Sequence, residues 1–149
     1  MRYLLDSDIL SDLYESSSAA HDNILRRIAS LKAEDSLSVS ILVLYELEYG
    51  LANARAEKKS ILRQRIKNVQ TRFSVLELSL DAAQIFGQLK KALVDFRGLK
   101  DKASKSHNVD LILAATAVAE SCVLVSADSL YRDLRVLEPN LQLEDWTDD

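Results

Sequence analysis

Four carboxylates spread along the chain are the residues whose type and surroundings could support chemistry: Asp6, Glu46, Asp110 and Asp128. Each lies in an apolar stretch, and no lysine or arginine lies within three residues of any of them. Burying a carboxylate is costly unless a positive charge meets it. If the fold brings the four together, we expect the counter-charge to be a hard divalent cation, because such cations prefer oxygen ligands.

Metal-assisted cleavage of a phosphodiester is the reaction that such a cluster would support. Mg²⁺ is held by carboxylates together with water and substrate phosphate oxygens. Two metals about 3.5–4 Å apart can activate a water and stabilise the leaving oxygen. Neither His21 nor His107 is then needed as a base. The sequence contains no glycine-rich phosphate loop, zinc-type Cys/His spacing or nucleophile elbow, so it indicates no rival chemistry.

Two of the acids follow apolar runs that predict buried strands. Asp6 comes directly after the run 3–5, and Asp128 comes two residues after the run 122–126. In parallel sheets, ligands gather beyond the carboxyl ends of the strands. We therefore expect both carboxylates at that edge of the sheet.

The other two acids are predicted to lie in helices. Glu46 follows Ser40 by about a turn and a half, in a helix that begins where the strand over 37–41 ends. Asp110 lies in the first turn of a helix that is apolar nearly all round, which indicates burial. Periodicity alone does not place Asp110 beside Asp6, because a helix that returns to a strand need not begin at the same edge.

Each acid also has an ordinary structural interpretation. Asp6 and Asp128 could cap the helices that follow them, and Asp110 could be a first-turn acid that favours the helix dipole. Glu48 could point inward in place of Glu46. The four together therefore carry more weight than any one of them.

The remaining pattern predicts a three-layer α/β/α sandwich around a mostly parallel sheet of four to five strands, in a single domain spanning residues 1–149. With three Gly and one Pro in 149 residues, helices should dominate. We expect a polar, lysine-rich connection over 98–106. Helices are predicted over 8–15, 21–33, 42–54, 56–72, 81–96 and 109–120, and strands over 3–5, 37–41, 73–78, 122–126 and, at an edge, 141–143.

Composition is typical of a globular cytoplasmic protein. Hydrophobic residues make up 48% of the chain and charged residues 28%. Cys122 is the only cysteine, so no intramolecular disulfide can form, which fits a reducing compartment. No apolar stretch approaches the roughly 20 residues that span a membrane. The strand-like run at 3–5 leaves no room for the charged and apolar regions of a signal peptide, so we expect none.

Charge is distributed unevenly although the net value is only −4. Residues 55–105 hold 13 of the 19 basic residues and 5 of the 23 acids, a local balance of +8, which leaves −12 for the remainder. The helix over 56–72 carries Lys58, Lys59, Arg63, Arg65 and Lys67. Such asymmetry steers polyanions, so we expect this helix to contribute to nucleic-acid affinity unless it is only a solvated face.

Four segments, in this order, resemble PIN-domain ribonucleases. Residues 3–10 (YLLDSDIL) are similar to the opening strand that ends in Asp followed by Ser or Thr, and 46–50 (ELEYG) to the Glu-Leu-x-x-Gly element. Residues 110–115 (DLILAA) resemble the helix that supplies the third acid, and 124–128 (LVSAD) the strand that ends in Ser or Thr with an acid two residues later. The likeness covers essentially the whole chain and is greatest for the compact VapC-type toxins of toxin–antitoxin pairs.

This resemblance implies an endoribonuclease that depends on Mg²⁺ or Mn²⁺ and cleaves RNA. It implies a homodimer, a small VapB-like antitoxin, and a heterotetramer or larger assembly with that antitoxin. Carried over by position, Asp6 and Asp110 are the main metal ligands and catalytic acids, and Glu46 and Asp128 complete the acidic pocket.

Two further positions follow from the same resemblance. Ser126 would position a water or a ligand behind the metal. Asp8 stands where the family usually has Asn, which adds a negative charge beside the site. We expect Asp8 to act as a cap or to support the ligands.

Three other functions compete with the nuclease. Asp6-Ser7-Asp8 reproduces the start of haloacid-dehalogenase-type phosphohydrolases, but Ile9-Leu10 follows where that family needs Gly-Thr. A phospho-receiver module would need an acidic doublet after the first strand and a lysine where Ala127 and Asp128 stand. A PIN fold that only binds would not need all four acids.

Overall fold

The computed structural model describes residues 1–148, and one parallel sheet lies at its centre. Its five strands run in the order β3-β2-β1-β4-β5, and every neighbouring pair is parallel. The predicted sheet is therefore confirmed, with its carboxyl ends on one edge. The strands are β1 (Arg2–Leu5), β2 (Ser36–Ser40), β3 (Ser74–Leu76), β4 (Val123–Val125) and β5 (Gln142–Glu144).

Helices connect the strands and cover both faces of the sheet. None of them, over residues 1–148, is both long enough and apolar enough to span a membrane. They are α1 (Ser7–Tyr14), α2 (His21–Ala29), α3 (Ile41–Ala52), α4 (Ala56–Arg72), α5 (Leu80–Arg97), α6 (Asp101–Lys105), α7 (Asn108–Ala119) and α8 (Leu130–Leu137).

Two departures from the predicted elements have clear causes. The helix predicted over 21–33 ends at Ala29, because the chain then forms a turn that is held by hydrogen bonds to Asp35. The Asp35 carboxylate accepts the Lys32 N–H at 2.9 Å and the N-terminal ammonium at 2.6 Å. The connection predicted over 98–106 contains the short helix α6, which shows no apolar periodicity because it buries only Ser104.

The core is divided between the two faces of the sheet, as alternation along β1 requires. Leu5 points into a cluster formed with α1, α2 and α4, and Leu4 points into a cluster formed with α5, α7 and α8. Both side chains are fully buried, and burying one leucine contributes about 1.5–3 kcal/mol. These two clusters hold β1 rigidly at the centre, so the residue that follows it has a fixed position.

Candidate active site

Asp6 lies at the carboxyl end of the central strand and is buried, with 6% of its surface exposed. Its backbone is extended, and Oδ1 accepts the Ser7 N–H at 2.7 Å, so Asp6 caps α1 as the ordinary interpretation predicted. Its other oxygen, Oδ2, accepts the hydroxyl of Ser126 at 2.7 Å. The Ser7 hydroxyl also donates to Oδ1, at 3.4 Å. The same carboxylate therefore caps α1 and is held in its buried position by hydrogen bonds to both of its oxygens.

Ser126 connects the ends of the two central strands. While its hydroxyl donates to Asp6, its oxygen accepts the Asp128 N–H at 3.1 Å. Asp128 itself is exposed, and its Oδ1 accepts the Leu130 N–H at 2.9 Å, which starts α8. The structure therefore places Ser126 directly behind Asp6 and gives Asp128 a capping bond at the rim of the same edge.

Glu46 reaches the site from α3, whose start is capped by the Ser40 hydroxyl at 3.2 Å from the Leu42 N–H. The side chain as a whole is exposed, but its carboxyl group is partly shielded from water. This shielding raises the pKa of Glu46, and the charges of Asp6, Asp8 and Asp110 raise it further. These influences favour Glu46 over its neighbour Glu48 as the residue that faces the site.

Asp110 lies in the first turn of α7 and is half-buried. Burial raises its pKa, and the charges of Asp128 and Asp8 add to that effect, while a hydrogen bond from Tyr131 and the charge of His107 oppose it. The position of Asp110, which periodicity could not fix, is therefore at the same edge as the other acids.

The acids form one group of interacting negative charges. Burial is the main cause that raises the pKa of Asp6, and the charges of Asp8 and Asp110 raise it further. Across residues 1–148, no lysine or arginine lies within ion-pair distance of Asp6, Asp8, Glu46, Asp110 or Asp128. A divalent cation fits this set of side chains, because all of their donor atoms are carboxylate oxygens and no basic side chain of residues 1–148 neutralises them.

The observed side-chain positions nevertheless do not chelate. In the part of the chain that the structure describes, no three His, Cys, Asp or Glu side chains converge closely enough to hold a metal ion. Like charges repel one another, and Glu46 and Asp128 are exposed, so packing does not fix their side chains as it fixes Asp6. Asp6 is thus the fixed member of the acidic group, and the exposed acids surround it at the rim.

Tyr131 is the residue of this site that the sequence did not single out. It lies in α8, it is fully buried, and its hydroxyl donates to Oδ1 of Asp110 at 3.2 Å. Burial raises its pKa strongly, and the charges of Asp6, Asp110 and Asp128 raise it further, so the hydroxyl keeps its proton. The available signal was the apolar spacing of Leu130, Tyr131 and Leu134 after Asp128, since a buried tyrosine usually needs a partner for its hydroxyl.

Comparison with known proteins identifies the family. The sequence model of the PIN domain matches residues 3–137, so the chain belongs to the PIN domain family. The resemblance inferred from the four acidic segments is thereby confirmed.

Individual relatives agree with this assignment. Ribonuclease VapC2 of Rickettsia felis (strain ATCC VR-1525 / URRWXCal2) is 27% identical over 146 residues, which cover 98% of each chain. VapBC2 of Rickettsia felis, solved bound to a DNA fragment from its promoter, superposes with a TM-score of 0.72 at 25% identity, over 98% of this chain and 99% of that one. VapBC-1 of nontypeable Haemophilus influenzae gives a TM-score of 0.76 at 23% identity over 99% and 100%, which shows the fold.

Proposed function

We propose that this chain is a metal-dependent endoribonuclease that acts as the toxin of a toxin–antitoxin pair, with residues 1–149 working as one domain in the cytoplasm. The observation that carries the proposal is the group of carboxylates around buried Asp6, at the carboxyl edge of a PIN-domain sheet. No lysine or arginine of residues 1–148 lies within ion-pair distance of this group. The 27% identity to a ribonuclease over 98% of both chains supports RNA as the substrate.

Each acidic residue has a role that follows from its position in the site. Asp6 and Asp110 would hold Mg²⁺ or Mn²⁺, Asp6 as the rigid ligand and Asp110 as the one that α7 brings to it. Glu46 and Asp128 would complete the acidic pocket from the rim. When bound, the metal supplies a water of lowered pKa and offsets charge on the phosphate.

The neighbouring groups control the orientation of those ligands. Ser126 fixes one oxygen of Asp6 by its 2.7 Å hydrogen bond, which leaves the orientation of the carboxylate determined before a metal arrives. Asp8 is exposed, and its negative charge raises the pKa values of Asp6, Glu46 and Asp110. Asp8 thereby strengthens the attraction for a cation without a fixed place among the ligands.

The competing functions lose support on specific observations. Membership of the PIN family and the buried side chains of Ile9 and Leu10 are incompatible with the flexible Gly-Thr start of a haloacid-dehalogenase phosphohydrolase. No lysine follows β4, where a receiver module needs one. A PIN fold that binds without cutting is separated from the nuclease by the assay below.

A protein partner follows from the relatives. The VapBC complexes that resemble this chain belong to a family of toxin–antitoxin systems, and the complex from Rickettsia felis is bound to promoter DNA. We infer that this chain forms a homodimer and binds a small VapB-like antitoxin, giving a heterotetramer or a larger assembly.

Cleavage of a labelled single-stranded RNA by the purified chain tests the proposal. We expect products with Mg²⁺ or Mn²⁺, none with EDTA, and recovery when the metal is restored in excess. The Asp110→Asn variant, purified in parallel, should bind the RNA and leave it intact. RNA that stays intact with both metals, while still bound by the wild-type chain, would identify a non-catalytic PIN module.

A further inference from the structure

A groove of about 280 Å³ leads away from the acidic site along one side of α1. At one end it is lined by Asp8 and Glu46, which belong to the acidic group. At the other end it is lined by Tyr14 and by Arg65 of α4. Asp8 and Tyr14 are six residues apart on α1, so the two ends lie about 9 Å apart along the helix axis.

Arg65 differs from the other basic residues of α4 in its surroundings. Its guanidinium lies over the ring of Tyr14, 5.3 Å from the centroid. The ring is held in turn by a hydrogen bond from its hydroxyl to Asn68 Oδ1 at 2.9 Å. In residues 1–148 no carboxylate lies within ion-pair distance of Arg65, whereas Arg97 and Arg27 are paired with Asp133 and Glu144.

The stacked geometry leaves the hydrogen-bond donors of Arg65 available. Stacking on an aromatic ring occupies the face of a guanidinium but not its N–H edges, which match phosphate oxygens in geometry. The charge of Arg65 reaches Glu15 only weakly, since the pKa of Glu15 is lowered chiefly by hydrogen bonds from Ser17. Arg65 is thus a half-buried cation, positioned by Tyr14, that lines the groove shared with the acids Asp8 and Glu46.

From this arrangement we infer that Arg65 binds a backbone phosphate of a single-stranded nucleic acid that lies along the groove, next to the phosphodiester at the acidic site. The inference rests on the proposed nuclease function and adds the path of the substrate strand. A metal at the acids and Arg65 in the same groove would hold two phosphates of one strand, which places the strand along the groove.

Exposed basic residues of the same helix provide the matched control. Arg63 lies two positions from Arg65 in α4, is exposed and does not line the groove. Arg65→Lys keeps the charge but loses the planar fork and the stacking, whereas Arg65→Gln loses all three. Thermal unfolding of each variant shows whether the contact with Tyr14 is needed for the fold.

The experiment measures binding of a labelled single-stranded oligoribonucleotide in the Asp110→Asn background, at several salt concentrations. Arg65→Gln should weaken binding about tenfold, the effect of one charge-assisted hydrogen bond. It should also reduce the slope of log K against log salt by about 0.7, the value for one phosphate of a single strand. Arg65→Lys should keep the slope, and Arg63→Gln should change affinity less than about twofold.

Equal losses for Arg65→Gln and Arg63→Gln would show that α4 is only a charged face and would overturn the subsite. Unchanged RNA affinity together with lost binding of a partner protein would assign the groove to that partner instead. If the Asp110→Asn chain binds no RNA and the wild type cuts none, the proposed function falls together with the subsite. A loss confined to Arg65→Gln, in a protein that still unfolds cooperatively, supports the inference.

Discussion

The hydroxyl of Tyr131 donates to Oδ1 of Asp110 over 3.2 Å, from a ring that is fully buried beneath the acidic site. One side chain belongs to α8 and the other to α7, so this bond ties together two helices that meet the sheet edge from different directions. The bond orients the Asp110 carboxylate, and its oxygens keep further lone pairs for a cation, as do those of Asp6. Tyr131 therefore does for Asp110 what Ser126 does for Asp6.

Substitution of Tyr131→Phe tests this role. The ring would still fill its place in the core, so we expect a loss of stability of about 1.5–3 kcal/mol at most, the range of a hydrogen bond to a charged group. Affinity for Mn²⁺ should fall by about tenfold or more, because groups that orient metal ligands contribute 10–100-fold to binding. Calorimetric titration with Mn²⁺ measures the effect, and Tyr45→Phe, which changes an exposed tyrosine, is the control. Equal Mn²⁺ affinities in the two variants would remove Tyr131 from the site.

Asparagine substitutions should rank the acids by their burial. Asp6→Asn and Asp110→Asn should each lower the cleavage rate about 10³-fold, because the loss of a ligand charge removes several kcal/mol of metal-assisted stabilisation. Asp128→Asn should cost less, since Asp128 is exposed and its amide oxygen can still accept the Leu130 N–H. The measurement is the single-turnover rate on one RNA at saturating Mg²⁺. Full activity in Asp6→Asn or Asp110→Asn would contradict the assignment of the site.

Removal of metal should make the stability depend on pH in a definite direction. The pKa values of Asp6, Glu46 and Asp110 are raised by folding, chiefly through burial. The folded state therefore binds protons more tightly than the unfolded chain, whose carboxyls titrate near 3.8 and 4.5. Stability should rise as pH falls through the raised values and decrease as pH rises through them.

Thermal unfolding in EDTA between pH 7 and pH 5 checks that sign. Asp110→Asn should start from a higher stability at pH 7, because one like charge is gone, and should gain less on acidification. Hydrogen bonds lower the pKa values of Glu15 and Asp35. Protonation of these two acids therefore destabilises the folded chain only at a lower pH. A wild-type chain whose stability falls steadily from pH 7 to pH 5 would show that the acidic group is not under repulsion.

Divalent metal should stabilise the folded chain in the same buffer at pH 7. A ligand that binds only the folded state adds about 2.7 kcal/mol at a concentration 100 times its Kd. Mg²⁺ or Mn²⁺ should therefore raise the unfolding temperature, and the increase should disappear in Asp6→Asn. Zn²⁺ should not be required, since the sequence offers no Cys/His ligand set. An equal increase in wild type and Asp6→Asn would place the metal elsewhere.

The positions of the strand ends were predictable because the apolar runs and the rule for parallel strand pairing indicate the same edge of the sheet. The apolar run before Asp6 predicts β1, and the run before Asp128 predicts β4, and parallel pairing of neighbouring strands brings their carboxyl ends together. The structure also shows that the capping and site interpretations of Asp6 are compatible, since one oxygen accepts from Ser7 and the other from Ser126. A sequence pattern presents capping and site membership as alternatives because it does not show that the two oxygens of one carboxylate can have different partners.

Contacts between distant helices were not predictable from periodicity. Asp110 reaches the sheet edge because α7 packs along α5 and under β4, an arrangement set by tertiary packing. The partner of Asp110, Tyr131, lies 21 residues away in a helix whose apolar spacing indicates burial but not what its hydroxyl meets. The groove beside Arg65 depends on α1 and α4 meeting, and their sequences separately show only a short amphipathic helix and a basic one.

An arginine of a partner protein should be able to enter the acidic site. Without metal, Asp6, Asp8, Glu46, Asp110 and Asp128 repel one another with no basic side chain of residues 1–148 in ion-pair distance. A guanidinium can pair with two carboxylate oxygens through its planar fork, whereas an ammonium binds as a point charge. A small antitoxin that inserts such an arginine, and lays an amphipathic helix on the apolar surface beside the site, would exclude metal and RNA together.

Co-expression of this chain with the protein encoded by the neighbouring gene tests this inhibition. We expect a stable complex that no longer cuts RNA, and growth arrest when this chain is induced alone. Arg→Lys at the inserted position should weaken the complex and restore part of the Mg²⁺ response, while Arg→Lys at a surface position of the same partner should change neither. Excess Mg²⁺ should compete with the partner, since both occupy the same carboxylates. A complex whose affinity is insensitive to Mg²⁺ and to Asp6→Asn would show that the partner inhibits from another surface.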